Sequence, residues 1–157
     1  MTTMKRRTFL KSTLASGVIL AAASAGMLRP TRALAAGWPK NAFASKSIET
    51  ALKNLYGSSA TRPSKAIKIK APLQAENGAV VPISVATTLP AVEAIGILVK
   101  GNMRPLASNV NLPKAAPFFS ARIKMGKSSD VHVVVKAGGK LHTAKQNIKV
   151  TVGGCGG

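Results

Sequence analysis

The sequence predicts a mainly β protein: an immunoglobulin-like antiparallel β-sandwich, preceded by one short α-helix and ending in a flexible Gly-rich C-terminal arm. Three observations carry that expectation. Beyond residue 63, apolar and polar residues alternate in short runs separated by Pro, Gly and Asn, the period of strands with one face in a core and the other in water. A single earlier segment repeats its apolar residues at helical spacing. The chain closes on Gly153-Gly-Cys-Gly-Gly157, where no neighbour of the cysteine has a side chain to pack. At 157 residues the chain is sized for one modest domain. It divides into residues 1–35, an export signal; 36–62, an N-terminal segment with a helix at about 47–56; 63–152, the sandwich; and 153–157, the arm.

Residues 1–35 have the order of an export signal: a basic start (Lys5, Arg6, Arg7, Lys11), an apolar run from Leu14 to Leu28 and the cleavage-type stretch Ala33-Leu34-Ala35. The run is rich in Ala and Gly and short of the ~20 residues that a bilayer span needs. Lys5-Arg-Arg-Thr-Phe-Leu-Lys11 resembles the twin-arginine pattern Ser/Thr-Arg-Arg-x-Phe-Leu-Lys, with Lys5 in the place of Ser/Thr. That resemblance implies export of a folded protein, removal of the signal, a periplasmic location and no membrane insertion afterwards.

Next comes the helix. Ile48, Leu52, Leu55 and Tyr56 recur at i, i+4, i+7 and i+8, Ser45 or Ser47 supplies an N-cap, and Gly57 supplies the stop. The strands follow: Ile67–Lys70, Val80–Ala86 with Pro82 calling for an edge or bulge, the nearly all-apolar Val92–Val99, Phe119–Met125, Val131–Lys136 and Ile148–Val152. Glu76-Asn77-Gly78 and Ala137-Gly138-Gly139-Lys140 read as hairpin turns. Asn109 to Pro117, with two prolines, reads as a loop. With Phe118-Phe119 it is the candidate partner face, the alternative for Phe119 being this chain's own core.

The charge is lopsided, with 23 Lys+Arg against 4 Asp+Glu and a net +19. Six of the basic residues (5, 6, 7, 11, 29 and 32) belong to the signal, so the remainder carries 17 − 4 = +13. Nucleic acid is not the expected partner: beyond the signal the aromatics are Trp38, Phe43, Tyr56, Phe118 and Phe119, which do not interleave with basic residues as a stacking platform requires. Lysines alternating with Val and Ile are instead the solvated faces of strands, and the surplus charge steers anionic ligands or acidic partners. The acids, Glu49, Glu76, Glu93 and Asp130, are too few for paired-carboxylate hydrolysis or an acidic metal cage. One cysteine excludes an internal disulfide and any multi-Cys metal site. His132 and His142 show no metal-ligand spacing, so no catalytic residue, metal site or cofactor is expected.

Cys155 follows a strand and precedes the terminal carboxylate, with no fixed cation, helix N-terminus or base to activate it. At an ordinary thiol pKa of ~8.5 it is a poor catalyst in its own chain. An exposed thiol on a thin glycine arm is instead an attachment point for chemistry supplied by another protein's active site. A thiol oxidoreductase would need a resolving cysteine and a base, both missing.

Over nearly its whole length the chain resembles the SoxY family of sulfur-oxidation carrier subunits. The resemblance rests on the twin-arginine start, Ile48-Glu-Thr-Ala-Leu-Lys-Asn-Leu-Tyr-Gly57, the stretch 71–83 (Ala-Pro-Leu-Gln-Ala-Glu-Asn-Gly-Ala-Val-Val-Pro-Ile) and the terminal Gly153–Gly157. It implies that Cys155 is the covalent attachment site for thiosulfate and its derivatives and that Gly153, Gly154, Gly156 and Gly157 form a swinging arm. It also implies a heterodimer with a SoxZ-like subunit, served by the cytochrome SoxAX, which conjugates thiosulfate to the thiol. The hydrolase SoxB then releases sulfate, and in some organisms the sulfane dehydrogenase SoxCD acts as well. The alternative is a periplasmic sandwich of binding or adhesion type whose Cys155 makes an intermolecular disulfide.

Overall fold

In the computed structural model residues 37–151 are described; the twin-arginine segment, Val152 and the Gly153–Gly157 arm lie outside the described residues. Two helices come first, α1 (Lys40–Ala44) and α2 (Ile48–Tyr56). The strands are β1 (Thr61–Pro63), β2 (Ile67–Lys70), β3 (Gln74–Ala75), β4 (Val81–Thr87), β5 (Val92–Val99), β6 (Leu106–Asn111), β7 (Phe118–Ile123), β8 (Ser129–Ala137) and β9 (Lys140–Val150). They form two sheets, one in the order β1-β9-β8-β5-β6 with β3 also on β9, the other β2-β4-β7. The expected mainly β sandwich is therefore present.

Alternation builds the core. Ile95, Ile97 and Val99 of β5 and Val131, Val133 and Val135 of β8 meet Val81, Ile83 and Val85 of β4, with Ile123 and Ile148 completing the layer. The outward residues of the small sheet, including Lys68, Lys70 and Arg122, face water as expected of solvated strand faces. The large sheet differs, because α2 covers part of its outer face. Leu52 and Ala51 pack on Leu98, Leu106, Val134 and Leu141, which explains why β5 lacks alternation: it is buried on both sides.

The ends of α2 follow from its sequence. Ser47 Oγ accepts from the Thr50 N–H at 3.1 Å, and Gly57, in the left-handed region at φ 79°, closes the helix by donating to the Lys53 carbonyl at 2.9 Å. Tyr56 lies over Gly96 of β5 and donates its hydroxyl to Asn109 Oδ1 at 2.7 Å. Burial pushes the Tyr56 hydroxyl well above the ordinary tyrosine pKa, so it remains a donor.

Several expectations change. A second helix, α1, precedes the one anticipated. Five residues carry no readable period, and tertiary bonds hold it: Ser45 Oγ donates to the Asn41 carbonyl at 2.7 Å, and Asn54 Nδ2 donates to Ser45 Oγ at 3.1 Å. The first three residues of the expected loop at Asn109–Pro117 belong to β6, whose polar residues hide a strand that pairs with β5 and is anchored by the Tyr56–Asn109 bond. The sheet is not wholly antiparallel, since β1 and β3 both run parallel to β9. Glu76-Asn77-Gly78 is not a hairpin, because it joins β3 in one sheet to β4 in the other. The second expected hairpin does form, with Gly138 and Gly139 at φ 55° and 72° between paired Ala137 and Lys140. Pro82 sits in β4 beyond the end of β2, which stops opposite Ser84, so at that point the strand pairs with β7 alone.

A methyl carbon added at Gly96 would lie 2.8 Å from the Tyr56 hydroxyl oxygen. Gly96→Ala should therefore cost roughly 1–3 kcal/mol by overpacking, measured by urea denaturation, with Tyr56→Phe removing part of the clash and part of the deficit.

Candidate functional site

The predicted attachment residue, Cys155, and the arm glycines Gly153, Gly154, Gly156 and Gly157 lie outside the described residues. What the structure does define is the root from which they extend, the C-terminal end of β9. Two neighbours hold that root. On one edge the short strand β3 pairs Ala75 with Val150. The Ala75 carbonyl accepts from the Thr151 N–H at 3.0 Å and from Thr151 Oγ1 at 3.2 Å, and the Leu73 carbonyl accepts from the Lys149 N–H at 2.9 Å. On the other edge β8 has ended, and the side chain of Ser128 replaces its backbone. Ser128 Oγ accepts from the Val150 N–H at 2.8 Å and reaches the Val150 carbonyl at 3.3 Å. Both edges of β9 thus remain bonded up to the last residue of the strand.

Asn77-Gly78 makes this clamp possible. Asn77 Oδ1 accepts from the Ala79 N–H at 2.8 Å, turning the chain locally, and the Gly78 carbonyl accepts from the Met125 N–H at 2.7 Å. A side chain at Gly78 would run into the Met125 carbonyl and stand 2.8 Å from Val150 Cγ1. The glycine is needed for close approach of three segments. The sequence signal was there in the Asn-Gly pair, but its role depends on contacts with residues 47 and 72 positions away.

The surroundings of the root are basic. Lys124, Lys127 and Lys149 are exposed there, and Asn102 laces the 124–126 turn to its own loop through Lys124 O at 2.7 Å and the Gly126 N–H at 2.9 Å. Glu76, exposed, follows Ala75 at the root itself. Glu93 pairs with Lys136 at 2.7 Å and accepts from the Gly139 N–H at 2.9 Å, while Asp130 accepts from Asn147 Nδ2 at 2.8 Å. These partners hold both carboxyls below their usual range.

Among the described residues no group of three His, Cys, Asp or Glu is placed to hold a metal ion. No described helix is long and apolar enough to cross a membrane. Phe119 packs against the sandwich core, whereas Phe118 is exposed. Of the two readings left open for Phe119, the core is the one found. His132 is on the outer face of β8 opposite Lys145 of β9. Burial, with help from Lys145 and Lys100 and against the pull of Asp130 and Glu49, lowers its pKa from 6.5.

Two outcomes follow. Gly78→Ala should lower stability by roughly 1–3 kcal/mol and raise amide exchange at Val150 and Thr151 more than at the β8–β9 hairpin. The folded state disfavours protonated His132, so its contribution is whole above the unfolded pKa of about 6.5 and is lost as pH falls below it. Glu49, Glu93 and Asp130 have lowered pKa values, so their losses begin only in the range of carboxylate titration. Denaturation midpoints should therefore drop between about pH 7 and pH 5, and His132→Asn should flatten that segment alone.

The family profile described as "Sulfur oxidation protein SoxY" matches residues 52–155, which takes in the sandwich, the root and Cys155. No curated protein matches the chain. Among solved structures, the sulfur carrier protein SoxY from Chlorobium limicola f thiosulfatophilum is 39% identical, with a TM-score of 0.61 over 72% of this chain and 99% of that one. A superoxide reductase (neelaredoxin) from Ignicoccus hospitalis gives a TM-score of 0.49 at 20% identity, over 55% of this chain and 80% of its own. The match through Cys155 and the near-complete coverage of a 39% identical SoxY structure lead to one conclusion: the chain belongs to the sulfur oxidation protein SoxY family.

Proposed function

We propose that this chain is the sulfur-substrate carrier of thiosulfate oxidation, holding its cargo covalently on Cys155 and presenting it to partner enzymes. The observation that carries the proposal is that the family match runs through Cys155 itself, on a chain whose last strand is bonded on both edges up to Val150. Cys155 is the fourth residue after Thr151, so bond geometry keeps the thiol-bearing Cα within roughly 14 Å of the root. Gly153, Gly154, Gly156 and Gly157 bring no side chains, which suits an arm that enters a narrow active site.

The chemistry balances as follows. The Cys155 thiol and thiosulfate join through a new S–S bond to give the thiosulfonate, releasing one proton and two electrons. A c-type cytochrome of SoxAX type accepts the electrons. Water then cleaves the terminal S–S bond in a SoxB-type hydrolase, releasing sulfate and leaving a persulfide on Cys155. A SoxCD-type dehydrogenase, where present, oxidises that sulfur further. The carrier has no catalysis of its own and no cofactor, works in the periplasm after export by the twin-arginine route, and pairs with a SoxZ-like subunit. Its basic surface favours an anionic cargo over the ~8–10 Å that physiological salt leaves unscreened.

Incubated with thiosulfate and an oxidised conjugating cytochrome, the protein should gain the mass of one thiosulfate unit, removable by reductant and absent from Cys155→Ser. An unmodified wild type, or a disulfide-linked dimer indifferent to thiosulfate, would overturn the proposal.

A further inference from the structure

A cavity of about 500 Å³ opens between α2 and the β1–β9–β8 side of the large sheet, away from the arm root. Its size falls within the ~300–1,000 Å³ of small-molecule sites. Its wall is apolar where α2 faces the sheet, formed by Ile48, Leu52, Pro63 and Val134. Its polar residues are Lys65 and Lys145, both exposed, with Thr61, Ser64, Thr143 and His132. His132 Nε2 is closed off from solvent and has no hydrogen-bond partner among the described residues, so His132 contributes its ring to the wall rather than a polar contact. His132 and Lys145 are cross-strand partners on one face.

Asp130 and Glu49 act on His132 from outside the cavity. Asp130 is taken by Asn147, and Glu49 is held at the start of α2 by its own backbone and Ser47. No carboxylate lines the cavity. The cavity thus offers an apolar chamber beside two ammonium groups and the hydroxyl-bearing Thr61, Ser64 and Thr143. Along β9, six residues or about 20 Å separate Lys145 from Thr151. The cavity therefore opens on a different part of β9 from the arm root.

We propose that this cavity binds a small organic anion with an apolar body, of the aryl or medium-chain carboxylate or sulfonate class, its head on Lys65 and Lys145 and its body against Ile48, Leu52 and Val134. The inference does not depend on Cys155, and the test uses the full chain with Cys155→Ser to keep the two apart. Anilinonaphthalene sulfonate is the probe, followed by fluorescence, with octanoate and octanol as competitors.

Binding should saturate at one site and be displaced at least ~tenfold more effectively by octanoate than by octanol. Lys65→Gln with Lys145→Gln should weaken it at least ~tenfold. Thr61→Trp, which places a ring in the cavity wall, should abolish it. Lys124→Gln with Lys127→Gln removes the same charge at the arm root and should leave it unchanged. No saturable binding, equal displacement by octanol, or an equal loss in the Lys124/Lys127 pair would each overturn the proposal. The lysine variants lie on the surface and keep the test decisive if Thr61→Trp does not fold.

Discussion

Strand β9 is bonded to β8 along its length and, on its other edge, first to β1 and then to β3. The rest of the structure is arranged around that double pairing. β1 and β3 are only three and two residues long, too short to stand alone, and each is a by-product of a segment that must reach β9 from elsewhere. Ser128 extends the pairing by one further residue after β8 has ended, using a side chain where backbone is no longer available. The stretch 71–83, which carries part of the family resemblance, has its physical meaning here: it delivers Ala75 to the edge of β9 and then turns at Gly78 into the opposite sheet.

What was legible in the sequence was what local physics determines. The stripe of α2, its Ser47 cap and its Gly57 stop depend on neighbours within one or two turns, and each is found. The Gly138-Gly139 hairpin needs only two residues with positive φ. What was hidden depends on distant partners. β6 is a strand because Asn109 meets Tyr56, 53 residues earlier, and nothing in Leu106-Ala-Ser-Asn-Val-Asn announces it. Asn77-Gly78 carries a strong hairpin signal, yet Met125 and Val150 decide its use. The cavity beside His132 could not be read either, because it forms only where α2 crosses strands from three parts of the chain. Cys155, by contrast, stood out by composition alone.

Charge follows a similar division. Lysines on β2 are explained by alternation, and two of the few acids serve local structure. Glu93 ties the β8–β9 hairpin to β5 through Lys136 and Gly139, a surface pair worth little in stability but one that uses up a negative charge. Asp130 accepts from the neutral amide of Asn147 and keeps its charge, which acts on Lys145 and His132.

The pairing of β9 on both edges also has a mechanical meaning. A pull on its C-terminal end, directed along the strand, loads the ladder bonds to β8 and β1 side by side, in shear, instead of opening them one after another as peeling from an edge would. The strand therefore behaves as an anchored tether: tension drawn through residues beyond Val150 is shared across the sheet and reaches the core without first unravelling the end to which it is applied.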